Sequence, residues 1–423
     1  MSSSTDTNWQ VIVVGAGAAG LVAAERAANR GLKTLLLEKN PRPGVKILMS
    51  GGTRCNLTHN TDARGIVAAY GPPGRFLHSA LAALGPRQLV GLVEAEGVAT
   101  KIEETGKIFP VSNRATDILA AFMARLERTP CVLSLSEPVV RVKRGELSFE
   151  VTTARRTLTC ENLILTVGGQ SYPGSGTSGE GYAWARDLGH TIVPPRPALV
   201  PIVTATQWVT QLRGITVPDV ALRVLAPPKH AEANPEKRRV LGSARGSLLF
   251  THFGLSGPVA LDVSRYVSGE EHPESLTLEC DFAPNRRAGE VDEVIRQSIA
   301  ENGKRQLASL LPDDLPRRLS EALVELIGAS NESRAAELTR EGRAKLVAAI
   351  KQTQIPIQGT RGFKSAEVTA GGVALNEIDS RTLQSKVVPG LYVAGELLDL
   401  DGPIGGFNFQ AAFSTGWLAG MSV

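Results

Sequence analysis

The sequence predicts an α/β fold: a parallel-sheet domain built from both chain ends, with an inserted β-barrel plus helical domain between them. Three observations predict it. Residues 11–38, VIVVGAGAAGLVAAERAANRGLKTLLLE, read as strand, glycine turn, helix and second strand. From residue 198 to 355 the texture changes to short β-rich runs followed by a helical stretch. Residues 356–423 then return to buried strands that end in glycines. The expected domains are therefore 1–197 and 356–423 as one unit and 198–355 as the other.

The first unit is the most informative. Val11–Val14 suits one buried parallel strand, and it runs into Gly15, Gly17 and Gly20, spaced G-x-G-x-x-G. Gly15 allows a tight turn, Gly17 lets a diphosphate approach the backbone with Ala18 and Ala19 beside it, and Gly20 lets helix and strand pack closely. The helix start offers free N–H groups and a positive dipole end. Thr34–Leu37 reads as the second strand and ends in Glu38, followed by Lys39. A carboxylate there accepts the ribose hydroxyls of an adenosine. The whole unit is the signature of a Rossmann-type dinucleotide site, far more specific than its glycines alone.

Composition narrows the class. With 42% hydrophobic and 21% charged residues the 423-residue chain is an ordinary globular protein, and a net charge of +4 is too mild to imply nucleic acid. Cys55, Cys131, Cys160 and Cys280 are widely spaced, which argues against a zinc site or a redox disulfide. The N-terminal stretch has neither the basic nor the apolar region of a signal peptide, and no apolar run is long enough for a membrane span, so a cytoplasmic protein is expected.

Further along, Lys46–Asn60, KILMSGGTRCNLTHN, reads as a glycine-rich loop that wraps a polar cofactor through Gly51, Arg54 and Asn56. Cys55 in this loop is a weak candidate nucleophile, better read as a packed thiol because no base accompanies it. Helices are expected over 76–97 and 116–128, and a hairpin from Pro138 with its turn near Gly145. A backbone amide of Val139 or Val140 is placed at the adenine end. Asn162–Thr166 reads as a buried strand ending in Gly168 and Gly169 at the cofactor crevice. A helix follows from about residue 181 to 189, and Pro194, Pro195 and Pro197 mark the domain exit.

In the insert, Lys229–Arg239 reads as a mobile polar loop. Thr251–Pro258 holds His252, a weak candidate acid/base or, preferably, a tether. At the chain's end Gly390–Gly395 reads as a buried strand followed by Glu396. Gly402, Gly405 and Gly406 lead into a helix from about Asn408, whose start suits a ring that gains negative charge on reduction.

Quoted together, VGAGAAGL, KILMSGGTRCNLTHN, FPVSNRATDIL, GGQSYPGSGTSGEGY, LLFTHFGLSGP and VTAGGV with GLYVAGELLDLDGPIGGFNFQAAFSTG run from end to end of the chain. In these motifs the chain resembles the BaiN-like, aminoacetone-oxidase-like NAD(P)/FAD-dependent oxidoreductases of the glutathione-reductase-like flavoprotein clan. The resemblance implies FAD as cofactor. Gly15, Gly17 and Gly20 would hold its diphosphate and Glu38 its ribose. Lys46, Gly51, Arg54, Cys55 and Asn56 would lie along the ribityl chain and ring, and Thr166 and Gly168 would border the cofactor. Gly395, Glu396, Gly405, Gly406, Asn408 and Gln410 would contact the flavin end. Thr53 departs from the third glycine that many members carry.

The function expected is hydride transfer between flavin N5 and a small organic substrate, with NAD(P)H as a transient co-substrate, because no second dinucleotide motif follows another strand. The alternatives are an amine or ketone oxidase using O₂ and an RNA-modifying flavoprotein. The latter lacks a basic stripe interleaved with aromatics, which make up only 5% of the chain.

Overall fold

The computed structural model describes residues 7–228, 238–312 and 314–423, so the expected loop at 229–239 lies almost entirely outside the described residues. The chain forms two compact units, residues 1–196 with 367–423, and residues 197–366.

The first unit begins with β1 (Asn8–Val14), whose last four residues are buried, and α1 (Ala18–Asn29). Next come β2 (Thr34–Leu37) and α2 (Val45–Thr53). A small antiparallel sheet holds β3 (Thr58–His59), β4 (Thr100–Ile102) and β5 (Lys107–Pro110). The main sheet adds β6 (Val132–Ser134), β7 (Val139–Arg144), β8 (Phe149–Thr153) and β9 (Thr157–Leu165) in the order β6-β2-β1-β9-β8-β7. β6, β2, β1 and β9 run parallel, and β7 and β8 are the expected hairpin. β10 (Ile192–Ala198) leads out of this unit.

β9 changes partner along its length. Residues 157–160 pair with β8, and residues 163–165 pair in parallel with the late strand β19 (Leu391–Val393). That exchange brings residues after 390 to the carboxyl ends of β1 and β9. The C-terminal helix Phe407–Ser422 then lies on α1 with almost no side chain between. A Cβ at Gly416 would stand 2.1 Å from the Ala19 carbonyl oxygen, and one at Gly420 2.3 Å from that of Ala23.

Two local expectations fail. The helix expected over 76–97 is broken into His78–Ala83 and Pro86–Glu94, because Gly85 leaves the helical conformation and Pro86 can only start a new helix. Lys46–Asn60 is not all loop, since Val45–Met49 is helical. The helix ends where Gly51, Gly52 and Thr53 all adopt left-handed backbone, with φ of 55°, 66° and 68°.

The second unit has its own core around Phe250, Phe282 and Leu323. Its strands are β11 (Ile202–Val203), β12 (Thr216–Leu225), β13 (Val240–Thr251), β14 (Gly254–Ser256), β15 (Thr277–Asp281), β16 (Thr353–Pro356) and β17 (Gly359–Thr360). They form one sheet ordered β16-β15-β12-β13-β14-β11-β17. Its outer members β16 and β17 are successive segments of one chain run, so the strand path returns to its start, as in a barrel. Because β17 pairs with β11, this unit runs on to Ala366, past the boundary at 355 expected from texture. Helices Ala288–Asn302, Arg317–Leu326 and Arg340–Gln352 complete it. β18 (Val368–Val373), back in the first unit, pairs with β10.

Candidate functional site

The site lies in the first unit, where β1, β9 and β19 end side by side. Gly15 turns the chain out of β1 at φ 100°, and the Thr166 hydroxyl at the end of β9 fixes that turn, donating to the Val14 and Gly15 carbonyls at 2.8 and 2.9 Å. A Cβ at Gly20 would stand 1.8 Å from the Gly15 carbonyl oxygen, so no other residue fits. Among the described residues, a Cβ at Gly17 would meet nothing within 4 Å, and no side chain caps the start of α1. The helix thus presents N–H groups to open space over a residue without a side chain.

Glu38 is 8% exposed, and its carboxylate accepts the Ala16 and Asn40 amides, both at 2.8 Å. A carboxylate has about four acceptor positions, so two stay free for vicinal hydroxyls. Open helix start, glycine turn and half-engaged carboxylate together fit the diphosphate and ribose of a dinucleotide. Beside Glu38, the 1% exposed Glu137 accepts from Arg156, Ser134 and Thr153. Burial opposes its ionisation, yet these hydrogen bonds outweigh burial and hold it below the usual carboxylate range. Val140 stands in a register break of β7, exposed at the sheet's edge. Lys39 pairs with Glu180 at 2.5 Å.

Across the crevice, Lys46 reaches from α2 to Glu396, just past β19, at 2.5 Å, and to the Ser171 hydroxyl at 2.7 Å. The other Glu396 oxygen accepts from Ser171 Oγ at 2.7 Å and from the Thr369 amide at 2.8 Å. Gly395 approaches α1, where its Cβ would stand 3.0 Å from that of Ala19. Gly168 sits at φ 76° against Thr177. Sequence reasoning missed Ser171 and Thr369. The available signal was a single hydroxyl residue in each of two otherwise apolar or glycine-rich segments, GGQS and VTAGGV.

A second cluster surrounds β3. The Asn56 side chain donates to the Thr58 carbonyl at 3.0 Å and accepts the Gly406 amide at 2.9 Å. The Gly405 carbonyl lies 3.1 Å from His59 Nδ1, and a Cβ at Gly406 would clash with the Thr58 backbone at 2.6 Å. Gly51 has φ 55° beside Asn56.

Several residues expected at the cofactor are engaged by the chain itself. Gln410 is fully buried, and its amide is engaged by Thr58, Leu84 and Ser414, which makes it a tether of the C-terminal helix. Asn408 closes the turn before that helix through two bonds to Gly402, at 2.8 and 3.0 Å. Arg54 pairs with Glu103 at 2.6 Å and stacks on Phe109. Cys55 is fully buried, and burial pushes its thiol up to about 12, which removes it as a nucleophile near neutral pH. His252 belongs to the second unit, exposed on the turn between β13 and β14 and edge-on to Phe253 at 4.9 Å.

Fold and site define the class: a FAD-dependent oxidoreductase with a Rossmann-type domain. The chain belongs to the HI0933-like protein Rossmann domain family, whose model matches residues 9–422. It is 32% identical over 412 residues to a ribosomal RNA dihydrouridine synthase of Escherichia coli (strain K12), covering 97% of this chain and 96% of that one. It is 30% identical over 413 residues to a 3-dehydro-bile acid delta(4,6)-reductase of Clostridium scindens, covering 97% and 98%. Among solved structures, 3-ketosteroid-delta4-(5alpha)-dehydrogenase from Rhodococcus jostii RHA1 aligns at 15% identity over 99% of this chain and 98% of that one, with a TM-score of 0.47. Among the described residues, no helix is long and apolar enough to cross a membrane.

Proposed function

We propose that this protein reduces a carbon–carbon double bond conjugated to a carbonyl, with FAD as the hydride carrier and NAD(P)H as the reductant. When bound, FAD supplies hydride transfer at its N5. The chain's own residues bind and orient. The α1 start and Gly17 would receive the diphosphate, and the free acceptor positions of Glu38 would take the adenosine ribose. Ser171 and the Thr369 amide hold Glu396 in place, and Glu396 holds the Lys46 ammonium at the carboxyl ends of β9 and β19. A cation there favours negative charge on whatever group lies against it.

The observation that carries this reading is that uncapped helix start and ion pair stand at the ends of neighbouring strands, the position where such sheets bind ligands. The substrate class is supported by the names of the relatives reported above, since a 4,6-unsaturated 3-oxo steroid and uridine both carry a double bond conjugated to a carbonyl. A second reading, reduction of uridine in RNA, draws on the relatives named ribosomal RNA dihydrouridine synthase, from E. coli and from Haemophilus influenzae.

The test begins with the visible spectrum of the purified protein, then anaerobic addition of NADH and NADPH, then of a 3-oxo-4,6-diene steroid or a uridine-containing oligoribonucleotide. The reading expects flavin bands, bleaching by a nicotinamide, and reoxidation by one of the two acceptors. A colourless protein that takes up no FAD, or a reduced flavin that only O₂ reoxidises, would refute it.

A further inference from the structure

Tyr172 lies one residue beyond Ser171 and has no part in the binding scheme above. Its backbone is left-handed, with φ 55° and ψ 65°, an outlying conformation for a bulky residue. The following Pro173 disfavours compact backbone at the residue before it. Hydrogen bonds on both sides hold this geometry. The Ser175 amide and hydroxyl both donate to the Tyr172 carbonyl, at 2.8 and 2.9 Å. The Thr177 hydroxyl donates to the Ser171 carbonyl at 2.8 Å, and the Ser171 amide donates to Thr369 Oγ1 at 3.0 Å.

Ser171 is fully buried against Lys46 and Glu396, whereas Tyr172 is 43% exposed. Among the described residues, no ring, cation or hydrogen-bonding side chain engages its phenol. The fold therefore leaves a large, partly exposed ring one residue along the chain from the ion-pair network, at the cost of backbone strain that a glycine would not carry. Strain maintained in this way collects at ligand-binding positions.

We propose that Tyr172 is a substrate-binding residue, whose ring stacks on a flat, conjugated carbonyl ring presented at the Lys46–Glu396 edge. Stacking between offset rings suits such a partner and needs no matching hydrogen-bond pattern. The inference rests on the function proposed above, because it takes its substrate class from there.

The experiment uses FAD-loaded wild type, Tyr172→Gly and Tyr172→Phe, with binding read from the change in the flavin absorption spectrum. The probes are androsta-4,6-diene-3,17-dione and a uridine-containing oligoribonucleotide. Tyr172→Gly is expected to weaken binding of whichever probe the wild type takes by about tenfold, as loss of a stacked ring does. It should keep its FAD and unfold no earlier than the wild type, because glycine relieves the strain. Tyr172→Phe keeps the ring and should bind within about threefold of wild type. Wild-type affinity in Tyr172→Gly, or equal loss in Tyr172→Phe, would overturn the inference and leave the proposed function standing. Failure of the FAD-loaded wild type to bind either probe would remove the proposed function and this inference with it. The probe that binds tells steroid-like from nucleic-acid substrates.

Discussion

Lys46 and Glu396, 350 positions apart in sequence, form a 2.5 Å ion pair that joins the start of α2 to the turn after β19. The side chains are 27% and 17% exposed, so solvent screens the pair only in part. Breaking such a pair from one side leaves the other charge without its partner. Lys46→Met is expected to destabilise the protein by about 1–2 kcal/mol, and Glu396→Gln by a similar amount. The double variant should lose clearly less than the sum. Denaturant unfolding of all four proteins measures this, and strict additivity would show that the two side chains are not coupled.

Gly17 and Gly20 separate ligand binding from folding. A Cβ at Gly20 would collide with the Gly15 carbonyl, so Gly20→Ala should fold poorly, with a loss of about 3 kcal/mol or more. A Cβ at Gly17 meets open space and its φ of −84° suits any residue. Gly17→Ala should therefore leave apoprotein stability within about 0.5 kcal/mol of wild type. Its methyl group enters the region assigned to the diphosphate, so FAD affinity should fall at least about tenfold, or 1.4 kcal/mol. Apoprotein melting and FAD titration distinguish the two effects.

Glu137 sets an acid limit on the first unit. Its folded pKa lies below the unfolded value, so its contribution is present above about pH 4.3 and is lost as the pH falls through the folded value. Glu137→Gln should flatten the fall in stability on the acid side, and should itself cost about 2–4 kcal/mol at neutral pH because the partly buried Arg156 loses its carboxylate partner. Urea unfolding of both proteins between pH 3 and 7 tests this, and parallel curves would rule it out.

The buried Cys55 thiol should resist iodoacetamide at pH 8 in the folded protein and react on unfolding. Cys55→Ser should retain turnover within about threefold, which no nucleophilic role would permit. Peptide mapping of the alkylated protein gives the first result and steady-state assay the second.

Thr53 holds a φ of 68°, the third successive left-handed residue after two glycines. A β-branched side chain is strained there. Thr53→Gly should leave stability unchanged or raise it by up to about 1 kcal/mol, despite the entropy that glycine adds to the unfolded chain. A drop in melting temperature would contradict the strain.

Much of the first unit is written locally. Val11–Glu38 carries its strand, glycine spacing, helix and acidic tip within one short stretch, and each follows from a rule about neighbours. The hairpin at 139–153 is legible for the same reason. The Lys46–Glu396–Ser171–Thr369 network is not, because its members come from four separate segments, and only the pairing of β19 with β9 and of β18 with β10 brings Glu396 and Thr369 into place. Gly85-Pro86 was a visible break, masked by the leucine and alanine spacing on either side. Gln410 and Asn408 carry the residue types expected of ligand contacts, but only the fold reveals that their amides are already engaged, Asn408 by the turn at Gly402 and Gln410 by Thr58, Leu84 and Ser414.

The contact of Gly416 and Gly420 with Ala19 and Ala23 bears on synthesis at the ribosome. The helix that opens at the glycine turn leaves the exit tunnel long before the surface it packs against. Until then its alanine face has only transient cover, and the nascent chain needs either a chaperone or speed. Stalled chains that end before residue 390 should accordingly be prone to proteolysis, and should capture no flavin however long they wait.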